Sequence, residues 1–317
     1  MDSDIRSEGL TISDSPTKEE IAYIQAGLRK FNLNETNGRF DYPGEEDPGL
    51  AFDLAVKDSA GEVVGGINVS SILGVMWLEV LWVADAHRGR GLASWLVLEA
   101  ERIAYEKGCV GAGTWTFDWQ GADFYPRIGF HLNGIYEGYP LGMTEHVLSK
   151  RLPSPNEVRR KTGRRVTRNR QDGYTLVEEP TRDQMRIVGN GLEAYCVAHA
   201  GDERGNPGIR VQLVVRGPDG RAVGGLLATT TIRIMALEEL WIDARYRGRG
   251  HGRKLVEEAE RIARAHGCIA VQGNCLSFQS PGFFHKLGYE SFGVVDVYMD
   301  DYSEDLLIKR LPSDAAF

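Results

Sequence analysis

The feature that most constrains this chain is that it contains one long pattern twice. The stretch Leu78 to Cys109 aligns without a gap on Leu237 to Cys268, an offset of 159 residues. The register reaches back to Pro48-Gly49 against Pro207-Gly208, and forward to Lys150-Arg151-Leu152-Pro153 against Lys309-Arg310-Leu311-Pro312. Near the start it slips, Pro16 matching Pro180, so the first copy carries an insertion between those anchors. A unit of about 140 residues is a whole domain and not a solenoid repeat. The repeat therefore predicts an N-terminal domain over 8–153, a linker over 154–172 and a C-terminal domain over 173–313. The linker gathers Arg159, Arg160, Lys161, Arg164, Arg165, Arg168 and Arg170 with no interleaved aromatics, which reads as a solvated connection and not as a nucleic-acid patch.

Within each copy the hydrophobic period switches between helix and strand. An amphipathic helix opens it, Lys18 to Phe31 or Arg182 to Tyr195, behind Ser15-Pro16-Thr17 or Glu179-Pro180-Thr181 as starting signals. Two hairpin strands follow, Leu50 to Lys57 and Val63 to Ser70, or Ile209 to Arg216 and Ala222 to Thr229, joined by short turns. A further strand, Met76 to Val83 or Ala236 to Ile242, runs into a glycine-rich loop. The helices Leu92 to Lys107 and His251 to His266 follow, stopped by Gly108 and Gly267. A strand, a short helix at Gly121 to Ile128 or Pro281 to Leu287, and a closing hairpin complete the pattern, giving a mixed α/β class.

Composition narrows the function classes. With 42% hydrophobic and 26% charged residues the chain reads as globular, and Glu79 interrupts its richest apolar stretch, so no membrane segment is expected. The start, Met1 to Leu10, carries Asp2, Asp4 and Glu8 and does not read as a signal peptide. Four cysteines, Cys109, Cys196, Cys268 and Cys275, form no CxxC pair, which fits a reducing cytoplasm. The seven histidines show no metal-binding spacing, so no metal site is inferred. A net charge of −8 argues against a nucleic-acid partner and is compatible with a cationic substrate.

The chemistry sits at the junction of strand, loop and helix: Arg88-Gly89-Arg90-Gly91-Leu92-Ala93 and Arg247-Gly248-Arg249-Gly250-His251-Gly252. Glycines let the backbone turn tightly against a ligand, and the following helix points unpaired amides and partial positive charge at it, which suits a pyrophosphate. The arginines can add charge-assisted contacts. Neither copy reads GxGxxG or GxxxxGK[ST], so Rossmann and P-loop assignments do not fit.

Both loops do fit [RQ]-x-x-G-x-[GA], and with the preceding Leu-Trp-Val or Leu-Trp-Ile and the later FYPRIGF or FFHKLGY the chain resembles the GNAT superfamily of N-acetyltransferases, twice over nearly its whole length. The resemblance implies two tandem GNAT-like α/β domains, each a mixed, mostly antiparallel central sheet flanked by helices. It implies acetyl-CoA as co-substrate, its pyrophosphate on the loop amides and its pantetheine near Val83 and Ile242. It also implies direct attack of a neutral amine on the thioester, with a tyrosine protonating the departing sulfur. Tyr125, four residues before Gly129-Phe130, occupies that position, and Phe284 replaces it in the second copy. The first copy is therefore expected to be the catalyst and the second a degenerate CoA binder. Glu79 and its counterpart Glu238 match a glutamate that serves as base in several family members. Strand alternation would set Glu79 beside Leu81 and Val83 and raise its pKa, although a structural ion pair would equally explain a glutamate in both copies.

Acceptor sites in this family are lined by the loop after the first helix and by the last hairpin. Glu45, Glu46, Asp47, Glu137, Glu145 and His146 lie there in the first copy, and Asp202, Glu203, Asp296, Asp300, Asp301, Glu304 and Asp305 in the second. Such carboxylates would attract an aminoglycoside-like antibiotic or a polyamine. Trp115 and Trp119 would wall the first cleft or pack in its core. The expectation is a small-molecule N-acetyltransferase, monomeric or homodimeric. Two other readings are a protein lysine or N-terminal acetyltransferase and a non-catalytic acyl-CoA sensor.

Overall fold

The computed structural model describes residues 10–38, 50–152, 170–171, 173–200 and 208–312. Each copy builds the elements its pattern predicts. Strands β2 (Phe52–Lys57) and β3 (Val63–Ile72) form a hairpin, as do β10 (Arg210–Arg216) and β11 (Ala222–Thr231). The strands β4 (Val75–Val83) and β12 (Ile234–Ile242) lead through the loops into α2 (Leu92–Glu106) and α5 (His251–Ala265). The opening helices, α1 (Lys18–Glu35) and α4 (Arg182–Ala200), start by the same device. Thr17 Oγ1 accepts from Glu20 N while Glu20 Oε2 accepts from Thr17 N, and Thr181 with Gln184 repeats this reciprocal cap.

The compact units do not coincide with the two sequence copies, because the opening helices change places. Among the described residues, one unit comprises 50–152, 170–200 and 295–303; the other comprises 10–38, 208–294 and 304–312. We call them the Arg88 unit and the Arg247 unit after their loops. Helix α4 of the second copy packs on β3 and β4 of the first, and α1 of the first packs on β11 and β12 of the second. Short strands travel with them: β9 (Tyr174–Val177) pairs with β2, and β1 (Thr11–Ser13) with β10, both antiparallel. Glycines seat these helices. A Cβ on Gly66 would lie 2.6 Å from Val188 Cγ2, and one on the equivalent Gly225 2.3 Å from Ile24 Cδ1.

In the Arg88 unit the strand order is β6-β7-β5-β4-β3-β2-β9-β8, with β5 (Gly111–Phe117), β6 (His131–Glu137), β7 (Thr144–Arg151) and β8 (Arg170–Gln171). In the Arg247 unit it is β1-β10-β11-β12-β13-β15-β14, with β13 (Ala270–Leu276), β14 (Glu290–Val295) and β15 (Glu304–Arg310). Among the described residues, β4 with β5 and β12 with β13 pair in parallel. Leu92, Trp95, Leu96, Ala100 and Ala104 line the buried face of α2 against this sheet. Their counterparts Leu255, Val256, Ala259 and Ala263 do the same on α5. All four cysteines are buried and unbridged, and among the described residues no helix is long and apolar enough to cross a membrane.

Candidate active site

Each site begins with a fault in a strand. Asn68 faces Val80 and Val69 faces Leu78, so Glu79 is an extra, unpaired residue on β4. In the same way Leu227 faces Glu239 and Ala228 faces Leu237, leaving Glu238 as the extra residue on β12. Such a bulge bends the strand and strengthens its local twist. Parallel pairing accordingly ends early, at Trp77 with Gly113 and at Leu237 with Gly273, and the two strands diverge beyond it. The gap becomes a cavity of about 330 Å³ in the Arg88 unit and about 470 Å³ in the Arg247 unit.

The glycine-rich loop closes one end of each gap. Gly89 (φ 73°), Gly91 (φ 79°), Gly248 (φ 74°) and Gly250 (φ 84°) occupy the left-handed region that side-chain-bearing residues avoid. Gly91 and Gly250 are the N-caps of α2 and α5, and no side chain caps either helix. The first-turn amides are thus left for a ligand, and the donor set fits the pyrophosphate of acetyl-CoA. Leu92 is buried in the core and contributes only backbone there. The first arginine of each loop is anchored within the protein. Arg88 Nε donates to Val83 O (3.0 Å), and its guanidinium pairs with Asp85 and stacks on Tyr195 at 4.6 Å. Arg247 Nε donates to Ile242 O (2.8 Å) and stacks on Phe31 at 4.8 Å. These two arginines brace the loop against the strand end and the exchanged helix. Arg90 and Arg249 are exposed on the loop.

Of the expected site residues, Glu79, Val83, Arg88, Ala93 and Tyr125 line the smaller cavity together with Trp115, Trp119 and, from α4, Leu192 and Tyr195. Ile242, Arg247, Gly248, Gly250, His251 and Gly252 line the larger one with Leu28 and Phe31 of α1. Tyr125, on the short helix α3 (Phe124–Arg127), is buried among Phe124 and Phe130 with Thr114 as hydrogen-bond partner. Burial raises its pKa, with Thr114 opposing, so the phenol keeps its proton. At the matching place Phe284, next to α6 residue Phe283 (Gly282–His285), has none to give. The second copy carries its hydroxyl five residues on, at Tyr289, where burial and the Glu260 carboxylate hold the phenol protonated.

Glu79 departs from the expectation of an apolar setting. It is exposed, and its carboxylate accepts from Ser70 Oγ at 2.5 Å. Alternation fails at this residue because the bulge inserts it between two paired positions. Glu238 is likewise exposed and held by Thr229 Oγ1 at 2.7 Å. Trp115 and Trp119 line the cavity, and Trp119, half-buried, also stacks on Phe117 and on His199. Asp296, Asp300 and Asp301, expected round the second acceptor site, lie in the segment 295–303 of the Arg88 unit. Glu45, Glu46, Asp47, Asp202 and Glu203 lie outside the described residues, as does most of the 154–172 linker. Sequence reasoning passed over Glu239, Gln25, Phe31 and Tyr195. The slip in register between the opening helices and the loops, which aligns Phe31 with Tyr195, was the available signal for the last two.

Comparison with known proteins bears on this geometry. The model of the acetyltransferase (GNAT) family matches residues 21–130 and again 191–289. Blasticidin-S acetyltransferase of Streptomyces morookaense is 39% identical over 97 residues, covering 29% of this chain and 68% of that protein. An acetyltransferase of Agrobacterium fabrum is 28% identical over 141 residues, covering 44% of this chain and 97% of that protein. Among solved structures, an acetyltransferase from Bacillus cereus shares 32% identity with a TM-score of 0.41, over 43% of this chain and 96% of its own. The bulged strand, the uncapped glycine loop and the family match all occur twice, and this chain belongs to the GNAT family of acetyltransferases.

Proposed function

We propose that this chain transfers the acetyl group of acetyl-CoA to a primary amine on a small molecule, and that the Arg88 unit is the principal catalyst. The observation that carries the choice of unit is Tyr125, a protonated phenol at the wall of a cavity that the Arg88 loop closes. The amine nitrogen attacks the thioester carbonyl, the C–N bond forms as the C–S bond breaks, and Tyr125 gives its proton to the sulfur. Glu79, exposed at the cavity edge, takes the ammonium proton through water before the attack, and the proton that the nitrogen sheds on forming the amide restores Tyr125. In the Arg247 unit the loop holds acetyl-CoA without that acid. The relative named for blasticidin-S supports an antibiotic-like amine as acceptor.

The test is release of free thiol from acetyl-CoA by the full chain over a panel of amines, including aminoglycosides and polyamines. Amine-dependent thiol release is expected, with Tyr125→Phe lowering kcat about 10²-fold or more while the KM for acetyl-CoA changes little. Transfer of label to proteins but to no small amine would instead establish a protein acetyltransferase. Tight CoA binding without turnover over the whole panel would establish a sensor.

A further inference from the structure

The Arg247 cavity differs from its counterpart by more than a lost phenol. Glu239 stands on β12 immediately after the bulge, where the first copy has Val80, and Gln25 stands on α1 where α4 has Gly189. The two side chains meet: Gln25 Nε2 donates to Glu239 Oε1 at 2.9 Å. The pair is thus present as a pair in one unit and replaced as a pair in the other. Glu239 lines the cavity and is half-buried, and burial raises its pKa with Gln25 opposing and Glu238 adding to the rise. Among the described residues no lysine, arginine or histidine pairs with it. The cationic side chains nearest along the chain, Arg233 and Arg245, are engaged elsewhere: Arg233 Nε donates to Gly267 O at 2.9 Å, and Arg245 pairs with Asp243 at 2.7 Å. As a mere clip between helix and strand, a partly desolvated carboxylate is a poor choice, because an amide or an apolar contact would hold the same elements at lower desolvation cost. A carboxylate oriented by an amide on the wall of a cavity of about 470 Å³, ahead of an uncapped phosphate loop, is instead placed to meet a cation brought by the ligand.

We propose that the Arg247 cavity is a second acceptor site, selective for strongly basic amines, whose ammonium group is held and deprotonated by Glu239. This rests on the acetyl-transfer reading but not on the choice of Tyr125 as acid. Glu239 accepts one proton from the ammonium, leaving a neutral amine and a carboxylic acid. The amine nitrogen forms the C–N bond as the C–S bond breaks. Its surplus proton passes to the departing sulfur, giving the amide and free thiol, and Glu239 returns its own proton to water. An amine that is already neutral at working pH needs no such help and gains nothing from Glu239. Within the Arg247 cavity, dependence on Glu239 thereby grows with the basicity of the amine.

The experiment uses the full chain with two probes, putrescine as a strongly basic amine and glucosamine as a weakly basic one. Glu239→Gln is expected to lower kcat/KM for putrescine about tenfold or more and to leave glucosamine within about twofold, with Glu239→Asp restoring part of the loss. Calorimetry with the CoA-bound chain is expected to show putrescine binding that Glu239→Gln abolishes, with an unchanged unfolding midpoint. Equal losses on both probes, no loss on either, or no putrescine binding by the unaltered chain would overturn the proposal. Tyr125→Phe is read separately. If it spares glucosamine turnover, the assigned acid is wrong, while the Glu239 result stands on its own.

Discussion

At the scale of single residues, the two copies place one hydroxyl group differently: Tyr125 with Phe130 in the first, Phe284 with Tyr289 in the second. The exchange moves a proton donor from the cavity wall to the buried Glu260 carboxylate, from which the half-buried Lys309 Nζ lies 2.8 Å. The replacement of Tyr125 by Phe284 was legible in sequence because both sit at the same distance before a glycine, whereas the hydroxyl at Tyr289 was passed over. Glu145 was not legible, since its setting depends on a fold-back. It was expected to face a cationic acceptor, but it is half-buried on β7 and accepts from Tyr139 Oη at 2.7 Å. Burial pushes its carboxyl up to about 7, with Tyr139 opposing. The folded chain therefore keeps a proton that the unfolded chain releases above its ordinary value of 4.5. The resulting stabilisation is full below that value and is lost as pH rises through 7. Glu145→Gln should flatten the fall in unfolding free energy between pH 4.5 and 7, as measured by urea titration. A variant whose stability falls in parallel with the parent would refute this assignment.

At the scale of elements, the exchanged helices approach the bulged strands closely enough to need glycine. A Cβ on Gly191 of α4 would lie 2.2 Å from the Trp82 ring, and one on Gly27 of α1 2.4 Å from Trp241. Gly189, on the same helix as Gly191, meets nothing within 4 Å. Helix propensity alone would favour alanine at either position by about 1 kcal/mol. We predict opposite signs: Gly189→Ala stabilises by about 0.5–1 kcal/mol, whereas Gly191→Ala costs about 1–3 kcal/mol by overpacking and raises the KM for acetyl-CoA by moving Trp82 in the cavity wall. Chemical denaturation and steady-state kinetics of the two variants check both. Strand and helix limits were readable to within a few residues because their periods are clean. The bulge at Glu79 was not, because it exists only in the register between two strands, and periodicity along one strand places the residue on the wrong side.

At the scale of the whole molecule, the repeat correctly announced two similar folds but hid how they are assembled. Most residues by which the helices meet the sheets are alike in the two copies: Ile24 with Val188, Gly27 with Gly191, Leu28 with Leu192 and Phe31 with Tyr195. A pattern that is the same in both copies carries no information about which helix covers which sheet. Removing residues 1–38 should therefore injure the unit of the second copy and not that of the first. Hydrogen exchange is expected to lose protection over 222–242 and to retain it over 63–83; the reverse pattern would mean that each helix serves its own copy. The exchange also changes what a genetic lesion would do. A message cut after codon 153 encodes every strand and the whole loop of the first repeat, and on paper spares one enzyme. It lacks residues 182–200, and with them Leu192 and Tyr195 in the cavity wall and the ring beneath Arg88. Duplication has given this gene two reading copies and no spare.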